Sequence, residues 1–283
     1  MFPKIMDTQQ LTSAIRHFLT EDIAGGDLTS EAIFPPDQAG TAQFIAREPF
    51  VVAGIEGVAP LVFQTRNPAV RCQPVKDGTR AAAGDILLTV SGPVRDLLAA
   101  ERVALNLCQR LSGIATLTAR FVGQVEGLPV KILDTRKTTP GLRLLEKYAV
   151  TVGGGHNHRF SLHDAILIKD NHIAAAGSIA AAVQKVRAYA PKALTVEVEC
   201  ETLAQVREAL AARADIIMLD NMTPAAMRKA VALVGKQATT EASGGVNLKN
   251  VRRIAETGVD TISIGALTHS APAVDISMEL LAG

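Results

Sequence analysis

Apolar and polar positions change their rhythm near Lys131 in this chain of 283 residues. Before that point the period varies from segment to segment. Leu11–Thr20 has helical spacing, Ala39–Ala53 alternates and is rich in β-formers, and Ile55–Gln64 returns to helical spacing. Asp77–Gly92 sets Asp-Gly and Gly-Asp turn signals around Ile86–Val90, which predicts strands and a hairpin. Glu21–Ser30 reads as an ordered turn. Pro93 then opens a helix to about Val125 that is apolar on several faces, so it is expected to be buried between domains or in a subunit interface. Arg102 lies within it and reads locally as solvated or as paired with Glu101 or Asp96.

After Lys131, short apolar runs alternate with helical segments. The runs are Val130–Leu133, Ala165–Ile168, Leu194–Val198, Asp215–Leu219, Thr239–Thr240 and Thr261–Ile264. Thr202 can cap the helix that follows it. Thr223-Pro224 supplies a cap and a first-turn proline, Gly235 lies just beyond that helix, and Asn247 can cap a helix stopping near Gly258. From Glu199 the strand ends recur at 21, 21 and 24 residues, at Asp220, Glu241 and Gly265. Repeated βα units of this length imply parallel strands with helical crossovers, and runs apolar on both faces suit strands covered on both sides. A barrel would gather the strand ends on one rim, whereas a doubly wound sheet would spread them along a line. The expected fold is α/β: a mixed α+β N-terminal domain over residues 1–104, then an incomplete parallel (β/α) barrel over residues 105–269.

Composition narrows the function. Formal net charge is +1 and aromatics are 4%, which weighs against a nucleic-acid binder. Cys72, Cys108 and Cys200 are far apart, odd in number and without metal spacing, as expected of reduced thiols in a cytoplasmic protein. The N-terminus lacks a signal pattern, and the Ala-rich stretch Ile173–Val183 is too short to span a bilayer.

The positive charge is local. Lys131–His172 holds seven Lys/Arg against four Asp/Glu, and four of the six histidines fall between His156 and His172. Arg136, Lys137, His158, Arg159 and Lys169 stand at strand ends or in a Gly-rich loop, not on helix faces. They would form a cationic floor for a polyanion, Arg by bidentate capture and Lys as a point charge. Gly153–Gly155 would let backbone amides approach an anion, although a flexible loop has the same pattern. His156 and His158, two residues apart and without a partner ligand, make a poor zinc signature. Glu199 and Asp220 end successive strands. They suit sugar hydroxyls, or Mg²⁺ held through its waters, or else serve as capping or ion-paired acids. Ser243-Gly244-Gly245 and Ile264-Gly265-Ala266 lie at the last two strand ends, where barrels bind phosphate through backbone N–H groups.

Together these stretches resemble the quinolinate phosphoribosyltransferase family, the carboxylating nicotinate-nucleotide pyrophosphorylases. The resemblance is carried by EDIAGGDLTS, ERVALNLCQRLSGIAT, DTRKTTPGLRLLEKYAV, GGGHNHR, LIKDNHI, VEVE, IMLDN, EASGGV and SIGALTHS, in order along most of the chain. It implies transfer of phosphoribose from phosphoribosyl pyrophosphate to quinolinate, with loss of CO₂, in NAD biosynthesis. It implies that Arg102, Arg136, His158, Arg159 and Lys169 bind quinolinate and that Thr135 belongs to the substrate-binding set. Lys137 would serve the pyrophosphate with Mg²⁺, Glu199 and Asp220 the ribose or the metal, and the Ser243–Gly245 and Ile264–Ala266 loops the 5′-phosphate. Lys137, Glu199 and Asp220 are the expected catalytic residues. It also implies a homodimer or higher oligomer, with Arg102 entering the neighbouring subunit's site, and a C-terminal helix over residues 270–283 returning to the N-terminal domain. Two other readings stay open: a relative using a different heterocyclic acid, and a phosphometabolite-binding protein without turnover.

Overall fold

The computed structural model describes residues 8–281. In chain order, the elements up to the long helix are α1 (Thr8–Ile23), α2 (Leu28–Ile33), β1 (Ala39–Ala46), β2 (Phe50–Val51), α3 (Val58–Arg66), β3 (Arg71–Pro74), β4 (Arg80–Ala81), β5 (Ile86–Pro93) and α4 (Val94–Gln124). Then follow β6 (Lys131–Leu133), α5 (Arg143–Val152), β7 (Ile166–Ile168), α6 (Asp170–Ala176), α7 (Ile179–Tyr189), β8 (Val196–Cys200), α8 (Leu203–Ala211) and β9 (Ile216–Asp220). The last are α9 (Pro224–Val234), β10 (Thr239–Ser243), α10 (Val251–Ala255), β11 (Thr261–Ser263), α11 (Ala266–His269) and β12 (Ile276–Leu280). The chain divides into two units. One takes in the chain up to Leu117, Pro140–Gly153 and the residues from Ala271; the other is Thr118–Thr139 and Gly154–Ser270. The first division falls after Leu117, further along α4 than the 104/105 boundary expected from sequence, because the apolar pattern of a continuous helix carries no mark where its neighbours change.

The first unit is built on a four-stranded sheet in the order β12-β1-β5-β3, all antiparallel. Phe44 on β1 meets Phe63 on α3 edge to face at 5.9 Å between ring centres, and both are fully buried. Along α4 the residues Leu97, Ala104, Leu105, Cys108, Leu111 and Ile114 are buried as well. Within Glu21–Ser30, read as a turn, Asp27 caps α2 by accepting the Ser30 N–H at 3.0 Å. The β3 strand was not expected. Its sequence, Arg-Cys-Gln-Pro, shows no hydrophobic alternation; pairing with β5 imposes the conformation.

The C-terminal tail corrects an expectation. Residues 270–283 were expected as a helix, but they form β12, which pairs with β1 so that Ile276 faces Ala46 and Leu280 faces Ala42. Asp275 accepts the Arg47 N–H through its carbonyl at 3.0 Å, Ser277 Oγ accepts from Arg47 Nε at 2.8 Å, and Glu279 pairs with the same guanidinium. The tail thereby closes an edge of β1 that would otherwise leave backbone groups unpaired. Residues 282 and 283 lie outside the described part.

The second unit carries six parallel strands in the order β6-β11-β10-β9-β8-β7. That order is a ring of consecutive strands opened between β6 and β7, an incomplete barrel. Several helix starts follow the expected caps. Thr202 accepts the Gln205 N–H at 3.2 Å and Thr223 the Ala226 N–H at 3.3 Å, with Pro224 at the first helical position. Asn247, in contrast, does not cap α10. Its side chain accepts the Lys249 N–H at 3.0 Å in a turn, and the helix begins four residues later.

The strands are not apolar on both faces, as had been expected. On β8, Val196, Val198 and Cys200 are buried on one face while Glu197 and Glu199 take the other; β10 likewise carries the buried Glu241. The barrel interior is polar toward its C-terminal rim.

Gly113 on α4 gives a direct test of the tail's seat. A Cβ there would come within 2.0 Å of the Pro272 carbonyl oxygen, with backbone on both sides of the clash. Gly113→Ala should lower stability by about 3 kcal/mol or more in denaturant unfolding; a change below about 1 kcal/mol would contradict this packing.

Candidate active site

Strand register builds the site. Glu199 on β8 and Glu241 on β10 both register with Met218 on β9, and Ser243 registers with Asp220. In-register side chains share one face of a sheet. The C-terminal ends therefore present two successive polar rows to one cavity of about 640 Å³. Thr135, Arg136 and Lys137 line it after β6, His158 and Arg159 from the loop before β7, and Lys169 after β7. Glu199, Asp220, Ser243, Gly244 and Gly245 complete the set expected from sequence. Sequence reasoning had given no role to Asn221, Glu241 or Ser263, which also line it.

The cations are held by local bonds. Thr135 Oγ1 accepts the Lys137 N–H at 3.0 Å, and the Lys137 carbonyl accepts Thr268 Oγ1 at 2.8 Å. Asp134, fully buried, accepts the His158 N–H at 2.9 Å. Arg159 Nη1 donates to the Ala165 carbonyl at 3.0 Å. Burial, and after it the nearby Arg136 charge, lowers the Arg159 pKa, so this group gains from an anion brought beside it.

Acids balance these cations. Lys169 Nζ lies 3.7 Å from Glu199 Oε2. Burial is the largest influence on Glu199 and raises its pKa; Lys169 lowers it and Asp220 raises it again. Asp220 Oδ2 accepts Asn221 Nδ2 at 2.6 Å, and Asn221 adopts a left-handed φ of 51°. Gly244 has φ +86°, and a Cβ there would lie 2.3 Å from Asn221 Oδ1, so only glycine fits this turn. Deeper in, His158 Nε2 lies 3.1 Å from Glu197 Oε2 and 3.6 Å from Glu241 Oε1. Glu197 is buried, and its place inside a Val-Glu-Val-Glu strand was the signal for it: a polar period of two within an apolar run. Burial, and next the Glu197 carboxylate, pushes the Glu241 carboxyl up to about 7.

Four expected residues do not line the cavity. Ile264 is buried and donates its N–H to the Leu133 carbonyl at 2.9 Å. Gly265 lies under the Lys137 stem, where a Cβ would come within 2.9 Å of Lys137 Cδ, and Ala266 begins α11. Arg102 belongs to the first unit. Its side chain is 57% exposed and stands 3.8 Å from Glu101, while Asp96 is taken by Arg66 at 2.8 Å. Gly153–Gly155 are also absent from the lining: Gly153 caps α5 through the Ala149 carbonyl, and Gly154 takes φ +86° in the turn that follows.

Fold and site are those of an incomplete-barrel enzyme with a cavity lined by cations and acids at the C-terminal rim of its strands. Residues 27–112 match the N-terminal domain of quinolinate phosphoribosyl transferase and residues 114–279 its C-terminal domain. The chain is 47% identical over 279 residues to the probable nicotinate-nucleotide pyrophosphorylase [carboxylating] of Bacillus subtilis, covering 97% of this chain and 95% of that one. It is similar to the solved structure of NadC from Streptococcus pyogenes, with TM-score 0.94, 45% identity and 98% of each chain covered. The structure of the nicotinate-nucleotide pyrophosphorylase from Francisella tularensis gives TM-score 0.93 at 39% identity, again over 98% of each chain. The chain belongs to the quinolinate phosphoribosyltransferase family.

Glu241 provides a pH test. Its pKa is raised in the folded state, so its contribution to stability is present at low pH and lost as pH rises through about 7. Relative to the wild type, the thermal stability of Glu241→Gln should rise between about pH 4.5 and about pH 7 and level off above it. A melting difference that stays constant over that window would contradict it.

Proposed function

We propose that the cavity at the barrel rim is where this chain carries out the carboxylating nicotinate-nucleotide pyrophosphorylase reaction. The enzyme transfers the phosphoribosyl group of phosphoribosyl pyrophosphate to quinolinate. It forms nicotinate mononucleotide, pyrophosphate and CO₂, a step of NAD biosynthesis. The observation that carries the assignment of the site is the convergence of Arg136, Lys137, Arg159 and Lys169 on one cavity with Glu199, Asp220 and the Ser243–Gly245 turn.

The roles follow from charge and reach. Arg136, Arg159 and Lys169, with Thr135 beside them and His158 supporting the Arg159 loop, bind the two carboxylates of quinolinate and aim its ring nitrogen at the sugar. The Ser243–Gly245 turn offers backbone N–H groups to the 5′-phosphate, while Gly265 and its neighbours support Lys137 from below. Glu199 and Asp220 accept the ribose hydroxyls and stabilise the positive charge that grows on the sugar carbon as pyrophosphate leaves. Lys137 steadies the leaving pyrophosphate. The nitrogen lone pair forms the new bond to that carbon, and the carbon–oxygen bond pair departs with pyrophosphate. The positive charge of the resulting pyridinium stabilises the carbanion left on the ring carbon when the adjacent carboxylate departs as CO₂, and a proton then adds to that carbon. No protein nucleophile is needed. Cys108 and Cys200 are buried, and burial pushes Cys72 up to about 11 and Cys200 up to about 12, as suits inert thiols.

Mg²⁺ is the expected cofactor. Glu199 and Asp220 fit it, since the Asp220 carboxylate disfavours charge on Glu199 and a divalent ion held through its waters would relieve that. When bound, the ion neutralises pyrophosphate. The assembly is a homodimer or a higher oligomer that shares sites. The exposed Arg102, held only loosely by Glu101, is free to reach a neighbouring copy. The protein works in the cytoplasm; among the described residues no helix is long and apolar enough to cross a membrane.

The defining assay supplies quinolinate, phosphoribosyl pyrophosphate and Mg²⁺ and follows nicotinate mononucleotide and CO₂, with nicotinate in parallel. Stoichiometric products from quinolinate alone are expected; no turnover by folded protein would contradict the assignment. Lys137→Ala should lower kcat on the order of 10²-fold or more with the fold intact. Mixing Arg102→Ala with Lys137→Ala protein should restore roughly a quarter of wild-type turnover, because half the dimers are mixed and each holds one intact site. No recovery in subunits that demonstrably exchange would rule out shared sites.

A further inference from the structure

Beneath the substrate-facing cations lies a group to which the reaction described above gives no task. Glu197 and Glu241 are 3% and 1% exposed, on β8 and β10, and both approach His158. Among the described residues, these three are the set whose ligand-type atoms all lie within 4.8 Å of one another, a spacing that would suit a divalent ion. The ring chemistry of His158 favours another use. Its Nδ1 accepts the Arg159 backbone N–H at 2.8 Å. An imidazole that accepts at Nδ1 carries its proton on Nε2, so Nε2 donates to Glu197 Oε2 and has no lone pair for a metal. Both ring nitrogens are thus committed to protein partners, and the ring is a neutral strut between the strands and the loop.

What the strut holds is the loop that delivers Arg159. The His158 N–H is fixed on Asp134, the Arg159 N–H on the His158 ring, and the ring on Glu197 with Glu241 behind it. The Arg159 guanidinium is set on the Ala165 carbonyl. A bidentate clamp on a carboxylate tolerates an error of only about 0.5 Å before it loses its second bond. We infer that Glu197 and Glu241 are positioning residues for quinolinate, acting through His158, and that His158 serves as a hydrogen-bonded strut and not as a cation for the substrate's carboxylates. This rests on the assignment of the cavity to quinolinate.

The test compares Michaelis constants for the two substrates in the full-length enzyme with Mg²⁺, with circular dichroism as the check on folding. Glu197→Ala should raise KM for quinolinate on the order of 10-fold while KM for phosphoribosyl pyrophosphate stays within about 2-fold. Glu197→Gln keeps an oxygen to accept Nε2–H and should recover most of that loss. His158→Gln, which keeps a donor without charge, should retain more quinolinate affinity than His158→Lys, which keeps charge without the strut. This second pair decides the matter even where Glu197→Ala fails to fold. An unchanged quinolinate KM in folded Glu197→Ala, or His158→Lys outperforming His158→Gln, would overturn the inference while leaving the quinolinate assignment standing. Wild-type protein that neither binds nor converts quinolinate would remove both.

Discussion

The parallel register of β8, β9 and β10 is the constraint on which the site depends. Because Glu199, Met218 and Glu241 share one row and Asp220 and Ser243 the next, side chains far apart in sequence meet at one rim. A slip of one residue on any of these strands would turn its acids toward the covering helices and bring Val198 or Leu219 into the cavity. The buried Val196, Val198, Ile217, Leu219 and Ala242 hold the register by their fit against those helices. Hydrophobic packing on the outside of the barrel thereby fixes polar chemistry on its inside.

Charge within the cavity is layered. Lys169 stands toward the mouth, half exposed, Arg159 is partly buried, and Glu197 and Glu241 lie deepest, where burial raises Glu241 toward neutrality. Under the proposed assignment, a dianionic ring meeting Arg136, Arg159 and Lys169 would displace water and relieve repulsion between Arg136 and Arg159. The acids balance those cations before substrate arrives, so the empty site does not carry an unopposed positive charge. The loop that bears Arg159 is tied at Asp134, Glu197 and Ala165.

The sequence made the barrel half of this picture legible, because βα spacing and caps such as Thr202 and Thr223 are local signals. Most of the cavity was legible for a related reason: Arg136, Lys169, Glu199 and Asp220 follow strand runs directly. Three things were hidden. The tail's alternation of Ile276, Met278 and Leu280 has a strand period, yet only the open edge of β1, more than 200 residues away, makes it a strand. The alternation Val-Glu-Val-Glu marks Glu197 as facing the polar side of β8, but its role was hidden because it comes from His158 on a remote loop. Ile264, Gly265 and Ala266 end a strand as the pattern said, but the Lys137 stem covers Gly265, so they support the site from outside its lining.

A crystal structure with quinolinate and a non-reactive phosphoribosyl pyrophosphate analogue would test the central claim most directly. The pyridine dicarboxylate is predicted between Arg136, Arg159 and Lys169, with the analogue's 5′-phosphate on the Ser243–Gly245 turn and its ribose beside Glu199 and Asp220. Density for either ligand away from this rim, with the rim left to solvent at saturating ligand, would contradict the account.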